Sequence, residues 1–296
     1  MSSHPDLHAV TTERAGYDDL LEVFGWLDRD PVLNVYPSAL VLRDGLGVPR
    51  DEYWIARRWG TLVGLLYLGG ASGAVLPMGD DGPALAALAD RAATRLAALP
   101  RRFQVVGRRA AVATVVERLR EDRLEPRLHR PQTYMALERG GLAPLEPLPE
   151  LRPARPEDHE IVYHSGADLR AEELEEDPRH VDPDAYAQRV TDECRDGYTY
   201  VWVEDGTLRF RASLSALTAD AVQIAGVFTP PPWRNRGFAR RGVAELCARL
   251  FERTRAVALF VNDSNAPAIA VYRRLGFLDS AEWGSAFYVL DPGHGA

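Results

Sequence analysis

The pattern of apolar residues in the second half of the chain changes between helix and strand periods. After residue 238, apolar side chains follow the i, i+3, i+4, i+7 spacing of a helix with one core-facing side, at Val243, Leu246, Cys247 and Leu250. A second helix is predicted over Ala266 to Leu275, where Gly276 ends it. Five segments alternate or run apolar over strand length: Tyr198 to Glu204, Thr207 to Leu214, Ala221 to Phe228, Ala256 to Val261 and Gly284 to Leu290.

Ahead of these strands, residues 151–162 predict a short strand, a proline-started turn and a helix. The charged stretch from Glu172 to Asp196 predicts a second helical segment. The first half of the chain shows a similar but fainter succession. Its predicted helices are Tyr17 to Leu27, Asn34 to Leu42, a long one from Pro83 through Leu99, and Ala110 to Leu119. Its predicted strands are Tyr53 to Arg57, Leu62 to Leu68, Ala74 to Met78, Phe103 to Val106 and Thr133 to Leu137.

Between the two halves, Glu138 to Pro153 is rich in glycine and proline and has no sustained period. We therefore predict two similar α/β (α+β) domains, at residues 1–140 and 153–296, with a linker at 141–152. A chain of 296 residues is long enough for two such cores.

The charge and composition of the chain argue against several classes of function. The chain has 35 Lys and Arg against 43 Asp and Glu, a net charge of −8, so it lacks the basic surplus expected for nucleic acid or an anionic membrane. It shows no signal peptide at the start and no apolar run of membrane-spanning length. Cys194 and Cys247 are expected to be buried free thiols. These features favour a cytoplasmic protein.

The main candidate for chemistry is the turn from Arg234 to Ala239 (RNRGFA), which lies between a strand and a helix. Gly237 and Ala239 let a ligand approach the backbone closely, and the free N–H groups of the first helical turn favour an anion there. Arginine side chains beside the turn add donors suited to phosphate. We expect a pyrophosphate to bind here.

Two motifs together resemble the GCN5-related N-acetyltransferase family. The turn has the form R-x-x-G-x-A of that family's acyl-CoA pyrophosphate loop. Residues 262–277 have the form N-x-x-N-x-P-A-x-x-x-Y-x-x-L-G-F, which is similar to the end of its CoA-binding half. The resemblance implies two tandem acyltransferase-like domains, each a mixed, mostly antiparallel sheet flanked by helices. It also implies acetyl-CoA as co-substrate and no metal.

The resemblance also implies site residues. Tyr272 is expected to be the general acid, since a phenol with a pKa of about 10 can protonate a departing thiolate with a pKa of about 8.5. Asn265 either binds the CoA chain or caps its own helix. The residues expected to bind acetyl-CoA are Val227, Phe228, Thr229, Arg234, Asn235, Arg236, Gly237, Phe238, Ala239, Arg240 and Asn265.

The strand end is expected to pair with the pantetheine arm. A backbone N–H of Val227 or Phe228 would hold the thioester oxygen. No general base is found, because Gln223 cannot be one and both Glu204 and Glu282 have the pattern of surface charges. Trp233 either stacks on adenine or packs over the proline turn.

The favoured function is transfer of an acetyl group to a primary amine of a small molecule. The alternatives are a non-catalytic acyl-CoA-binding module and a transferase with another acyl donor. The first domain has Asp80 and Asp81 at the place that corresponds to the arginine turn, and two carboxylates there would repel a pyrophosphate. We expect this domain to have lost CoA binding and to shape the acceptor pocket, support the second domain or make a homodimer contact.

Overall fold

The computed structural model describes residues 10–144 and 146–290, and its contacts divide them into two compact units. Unit 1 contains residues 10–134, 262–264 and 280–290. Unit 2 contains residues 135–261, apart from residue 145, and 265–279. These units are defined by contacts in space and each contains more than one stretch of the chain. The domain boundaries predicted at residues 140 and 153 are therefore not tested by them and stay a prediction.

Unit 1 is a mixed sheet with helices against it. Its strands lie in the order β1-β2-β3-β4-β5-β12-β6; β4 and β5 are parallel, whereas β12 pairs antiparallel with β5 from Trp283↔Arg108 to Val289↔Arg102. Apolar side chains of α3 and α4 form one core with this sheet. The elements are β1 (Thr11–Arg14), α1 (Leu20–Leu27), α2 (Val35–Asp44), β2 (Asp51–Arg58), β3 (Thr61–Gly69), β4 (Ala74–Met78), α3 (Gly82–Thr94), β5 (Arg102–Arg108), α4 (Arg109–Glu121), β6 (Leu128–Glu138) and β12 (Leu278–Val289).

The strands of unit 2 lie in the order β6-β11-β10-β9-β8-β7 and are also mixed. β10 is parallel to β11 and antiparallel to β9, and both β8–β9 and β7–β8 are antiparallel. The elements are the end of β6, β7 (Arg152–Pro153), α5 (His159–Leu174), α6 (Pro178–Val181), α7 (Pro183–Asp196), β8 (Thr199–Glu204), β9 (Thr207–Leu217), β10 (Ala221–Phe228), α8 (Phe238–Leu250), β11 (Ala256–Asn262) and α9 (Ala266–Leu275).

The apolar stripe of α8 explains why this helix forms where it does. Its four predicted positions are all buried in the core of unit 2, together with apolar residues of β10, β11 and α9. Burial of each of the valine and leucine side chains contributes roughly 1.5–3 kcal/mol. Cys194 and Cys247 are both free and buried, as expected.

Several elements differ from their predicted limits for physical reasons. The single helical segment expected over Glu172 to Asp196 is instead the end of α5, then α6 and α7, because Pro178 and Pro183 each start a new helix. The helix predicted through Leu99 ends at Thr94 and is followed by a 3₁₀ turn at Leu96–Ala98.

Two strands extend beyond the predicted pattern. β1 was not predicted, since its sequence TTER is largely exposed and has no apolar alternation. β12 starts at Leu278 rather than Gly284, again over exposed residues. Within the described residues, none of the helices combines the length and hydropathy needed to cross a bilayer.

The segment predicted as a linker packs into unit 2. Leu148 is 1% exposed and Leu151 is 0% exposed, and both belong to the core that contains α8. The Leu148 N–H donates to Glu245 Oε2 (2.9 Å), and its carbonyl accepts from Arg249 Nη2 (3.2 Å). This segment is therefore held on α8 by both packing and polar contacts.

We expect Leu148→Ala to lower the free energy of unfolding by about 2–5 kcal/mol, because it leaves a cavity in a packed core. Chemical denaturation measures the change. Leu42→Ala is the matched control, since Leu42 is an exposed leucine on α2 and the same substitution there should cost less than about 0.5 kcal/mol. Equal effects of the two substitutions would mean that the segment is only a tether.

Candidate functional site

A β-bulge interrupts β10 near its end. Ala225 pairs with Ser213 and Phe228 pairs with Arg211, so β10 has one residue more than β9 over this stretch. Gly226 has a φ of +60°, in the left-handed region that favours glycine. The bulge changes the course of β10 just before the proline-rich turn.

The parallel ladder between β10 and β11 stops before the bulge. In the described chain its register runs only from Ala221↔Ala256 to Gln223↔Ala258. Val227, Phe228 and Thr229 lie beyond that point, on the strand end predicted to pair with an extended amide-rich ligand. The β10–β11 ladder therefore ends before these three residues.

The start of α8 has the geometry of an anion site. Gly237 is its N-cap with a φ of +84°, and no side chain caps the helix. The Arg241 N–H makes the first helical bond, to the Gly237 carbonyl (3.0 Å), which leaves earlier N–H groups directed out of the helix end. A Cβ placed on Gly237 would meet no atom of the described residues within 4 Å. The approach to this helix end is therefore open.

The arginines of the turn have different roles. Arg234 Nε donates to the Thr229 carbonyl (3.0 Å) and its Nη2 donates to both carboxylate oxygens of Glu172 (2.8 Å each), so Arg234 fastens the turn to α5. Arg236 and Arg240 are exposed beside the helix start. Asn235 has a φ of +60°, a conformation that asparagine tolerates well.

The Trp233 ring packs against other side chains of the protein and is not free to stack on an adenine ring. The Arg209 guanidinium lies 3.5 Å from the centroid of its ring and that of Arg236 lies 5.1 Å from it. The ring of Phe238 meets it edge-on at 6.1 Å. Of the two interpretations of Trp233, the structure favours packing over the turn.

Asn265 is the N-cap of α9. Its Oδ1 accepts a hydrogen bond from the Ala268 N–H at 3.2 Å, and the residue is otherwise exposed. The capping role that the sequence allowed is therefore present in the structure. Asn262 has a different partner, since its Oδ1 accepts from Gln132 Nε2 (3.0 Å) in unit 1.

Tyr272 lies inside the core of unit 2 and is 6% exposed. Its ring packs against Phe277, with the centroids 5.7 Å apart. Burial raises the pKa of the Tyr272 phenol, and the nearby Glu173 carboxylate raises it further. The phenol is therefore protonated at neutral pH, as a general acid must be.

Neither carboxylate considered as a base lies free at this site. Glu204 accepts from Trp202 Nε1 (2.9 Å) and Arg209 Nε (3.2 Å), while Glu282 is exposed and pairs with Arg109 in unit 1. Gln223 is buried, and its Nε2 donates to Ser215 Oγ (2.9 Å).

The structure adds a cleft that the sequence did not indicate. Its volume is about 550 Å³, and it lies between the N-terminal half of α5, the β8–β9 turn at Gly206, and Phe228 with Pro230. The cleft is lined by His164, Glu160 and Asp168 of α5 and by Glu157 of the 3₁₀ turn before α5. In the linear sequence these residues belong to an ordinary charged helix, so only the fold reveals that they share one opening.

A polar group under α5 and α7 was also missed. Arg211, Ser213 and Ser215 alternate along β9, which places them on one face of the strand. Arg211 is 4% exposed and contacts α5 and α7 through Val162, Ser165 and Glu193. The alternation of polar residues along β9 was visible in the sequence. The residues that Arg211 contacts come from distant parts of the chain, so the sequence did not indicate them.

Unit 1 lacks the bulge and the uncapped helix start, although its parallel β4–β5 ladder also ends early, at Val75↔Val105. Its β3–β4 register runs from Leu65↔Met78 to Leu68↔Val75 without a shift, so β4 has no bulge there. Its α3 is capped by Asp81, whose Oδ1 accepts from the Ala84 N–H (2.9 Å) and from Arg58 Nη2 (2.9 Å). The chain's own carboxylate therefore takes the place that an anion would need.

Comparisons with known proteins agree with this geometry. A model of the Acetyltransferase (GNAT) family matches residues 167–277, which include the bulge, the turn, α8 and α9. No curated protein matches the chain. Among residues 10–144 and 146–290, no group of three or more His, Cys, Asp or Glu is placed to hold a metal ion.

Solved structures share the fold over nearly the full length. A GCN5-related N-acetyltransferase from Sphaerobacter thermophilus is 18% identical with a TM-score of 0.63, and the match covers 98% of each chain. A GNAT-family acetyltransferase from Colwellia psychrerythraea is 11% identical with a TM-score of 0.54, covering 94% of this chain and 99% of the other. A tandem GNAT protein from the clavulanic acid biosynthesis pathway is 17% identical with a TM-score of 0.53, covering 96% and 99%. The predicted tandem fold is confirmed.

We expect Asn265→Ala to lower the melting temperature by roughly 2–4 °C, because loss of a helix cap costs about 1 kcal/mol. Asn265→Asp should keep the cap and the stability. Differential scanning calorimetry separates the two variants. If Asn265→Ala melts like the unmodified protein, the cap contributes nothing and another role must account for this residue.

Proposed function

We propose that the chain is a member of the GCN5-related N-acetyltransferase superfamily and that it transfers an acetyl group from acetyl-CoA to a primary amine of a small molecule. Membership supports acyl transfer in general. The observation that carries the specific proposal is in unit 2, where the sheet opens at the β10 bulge directly before an uncapped helix start.

In this proposal the turn and α8 bind the pyrophosphate. The N–H groups of the first helical turn donate to it, and the exposed Arg236 and Arg240 add charge. Arg234 instead fixes the turn through Thr229 and Glu172, which keeps the helix start in place. The assigned role of Arg234 is therefore positioning rather than phosphate binding.

The acyl end is proposed to lie at the bulge. The strand end at Val227 to Thr229 would pair with the amide groups of pantetheine, and the N–H of Val227 or Phe228 would donate to the oxygen of the tetrahedral intermediate. The prolines that follow cannot donate, so the donors are confined to these residues. Tyr272 would give its proton to the departing thiolate sulfur, since its raised pKa keeps it protonated until that moment.

A second candidate is a module that binds acyl-CoA without catalysis. The burial of Tyr272 in the core and the absence of a free carboxylate among the candidate bases favour it. The third candidate function is a transferase that uses an acyl donor other than acetyl-CoA. For unit 1 we propose that it binds no CoA, because Asp81 caps its helix and its sheet has no bulge. The two free thiols fit a reducing cytoplasm as the proposed location.

We predict that Ala239→Glu raises the dissociation constant for acetyl-CoA at least about tenfold, which is about 1.4 kcal/mol. A carboxylate in the first turn of α8 repels the pyrophosphate, yet it suits the helix dipole, so the free protein should keep its stability. Ala248→Glu, at an exposed position of the same helix, is the matched control. Calorimetric titration measures both. Unchanged binding by Ala239→Glu would place the pyrophosphate elsewhere.

Tyr272→Phe should lower kcat by roughly 10²-fold or more while acetyl-CoA binding stays the same, because only the proton donor is lost. Stopped-flow detection of thiol release with an amine panel gives kcat, and titration gives the affinity. Retained kcat would exclude the acid role of Tyr272. Binding of acetyl-CoA without transfer to any amine would favour the non-catalytic module.

A further inference from the structure

The cleft beside α5 meets the strand end at which acetyl transfer is proposed. Phe228 and Pro230 line it together with Gly206 and Leu208 of the β8–β9 hairpin. Phe228 is the last residue of β10, after the bulge, and its N–H is one of the two proposed donors to the thioester oxygen. The cleft volume of about 550 Å³ is in the range of small-molecule sites. An amine held in this cleft therefore lies next to Phe228.

His164 lies on the face of α5 that lines this cleft. Glu160 and Asp168 are four residues before and after it, a spacing that places all three on one side of the helix. His164 is exposed, and its ring meets the Tyr163 ring edge-on with the centroids 5.4 Å apart. Within residues 10–144 and 146–290, no hydrogen bond or ion pair engages its imidazole nitrogens. The imidazole is therefore available to a bound molecule.

Two of the three carboxylates in the cleft have cationic partners. Asp168 accepts a hydrogen bond from Arg179 Nη2 (3.0 Å), and Glu157 Oε1 lies 3.9 Å from Arg155 Nη1. Glu160 is exposed, and no hydrogen bond or ion pair to it is found in the described chain. The proton acceptors left in the cleft are therefore Glu160 and the imidazole.

Two arginines lie close to the cleft on its sheet side. Arg211 is buried and donates from Nη1 to the Oγ of Ser165, which lines the cleft (3.4 Å). The Arg234 guanidinium lies 5.5 Å from the centroid of the Phe228 ring and is paired with Glu172. Of the described residues, the charged ones that line the cleft are carboxylates, beside the imidazole. Such a lining attracts a protonated amine.

We propose that His164 is the general base of the acetyl transfer and that this cleft holds the acceptor amine. Imidazole is the side chain that takes and releases a proton most readily near neutral pH, whereas an exposed carboxylate is a weak base there. This inference rests on the proposed acetyl transfer and supplies the proton acceptor that the carboxylates Glu204 and Glu282 do not provide.

The reaction balances without a further reactant. The neutral amine nitrogen attacks the thioester carbon, and the imidazole of His164 takes the proton that the nitrogen loses. The C–S bond breaks, and the departing sulfur gains its proton from Tyr272, as proposed above. The imidazolium then returns a proton to the phenolate through solvent, which restores both side chains.

The test measures thiol release from acetyl-CoA by the full chain with a panel of primary alkylamines and diamines. His164→Ala should lower kcat by roughly 10²-fold or more with the KM for acetyl-CoA unchanged, because only the proton acceptor is lost. His164 is exposed, so this substitution should leave the fold intact. Imidazole added to the buffer should restore part of the lost kcat of His164→Ala and leave the unmodified protein unchanged. Free imidazole replaces a missing base but does not repair a structural defect.

Two substitutions on the same helix are the controls. His159→Ala should leave kcat unchanged, because His159 stacks on Tyr163, with the centroids 6.0 Å apart, and is not among the described residues that line the cleft. Glu160→Gln should retain more of kcat than His164→Ala does. A loss confined to Glu160→Gln would assign the base to that carboxylate and overturn the inference. A loss in His164→Ala that imidazole does not restore would overturn it as well.

The outcomes also separate this inference from the proposed function. An unchanged kcat in His164→Ala overturns the assigned base and leaves the acetyl transfer intact. Protein that binds acetyl-CoA but uses none of the amines would be the non-catalytic module, which overturns both. Failure to bind acetyl-CoA overturns the proposed function itself.

Discussion

The break in the β10–β11 ladder is the feature on which the candidate site of unit 2 depends. Two parallel strands in register satisfy each other's backbone groups and leave nothing for a ligand. Here the register ends at Gln223↔Ala258, and the bulge at Gly226 then alters the course of β10. A left-handed φ at that position costs least for glycine, so the opening is set locally by sequence.

The elements around this opening hold it in place. Arg234 connects the turn after β10 with Glu172 on α5, and the apolar stripe of α8 anchors the helix whose N-terminus faces the turn. Arg211 connects β9 with Val162 on α5 and with Glu193 on α7. The N-terminus of α8 presents backbone N–H donors to a polyanion, whereas Arg211 is buried between β9, α5 and α7.

Unit 1 shows a similar fold that lacks the bulge and the uncapped helix start, although its parallel β4–β5 ladder also ends early, at Val75↔Val105. Its β4 stays in register with β3 up to Met78, and Asp81 caps α3. The carboxylates at this turn were visible in the sequence, and the expectation that they oppose a pyrophosphate rests on charge alone. The absence of a bulge in β4 is a second difference from unit 2, and no residue pattern in the first half of the chain indicated it.

Sequence reasoning worked where the cause is local. The α8 stripe, the Asn265 cap and the glycine turn at 237 each follow from residues within a few positions of one another. It failed where the cause is distant: β1 has no apolar pattern of its own and forms by pairing with β2, and Leu148 and Leu151 look like linker residues until α8 packs on them. Arg211 was likewise an ordinary charge in the sequence until the fold buried it against Val162 of α5 and Glu193 of α7.

The number of acetyl-CoA molecules bound per chain tests the central claim most directly. Isothermal titration of the full-length protein should give one site per chain, because only unit 2 combines an open ladder with an uncapped helix start. Asp81→Asn in unit 1 should leave that number unchanged. Two sites per chain, or none, would contradict the account.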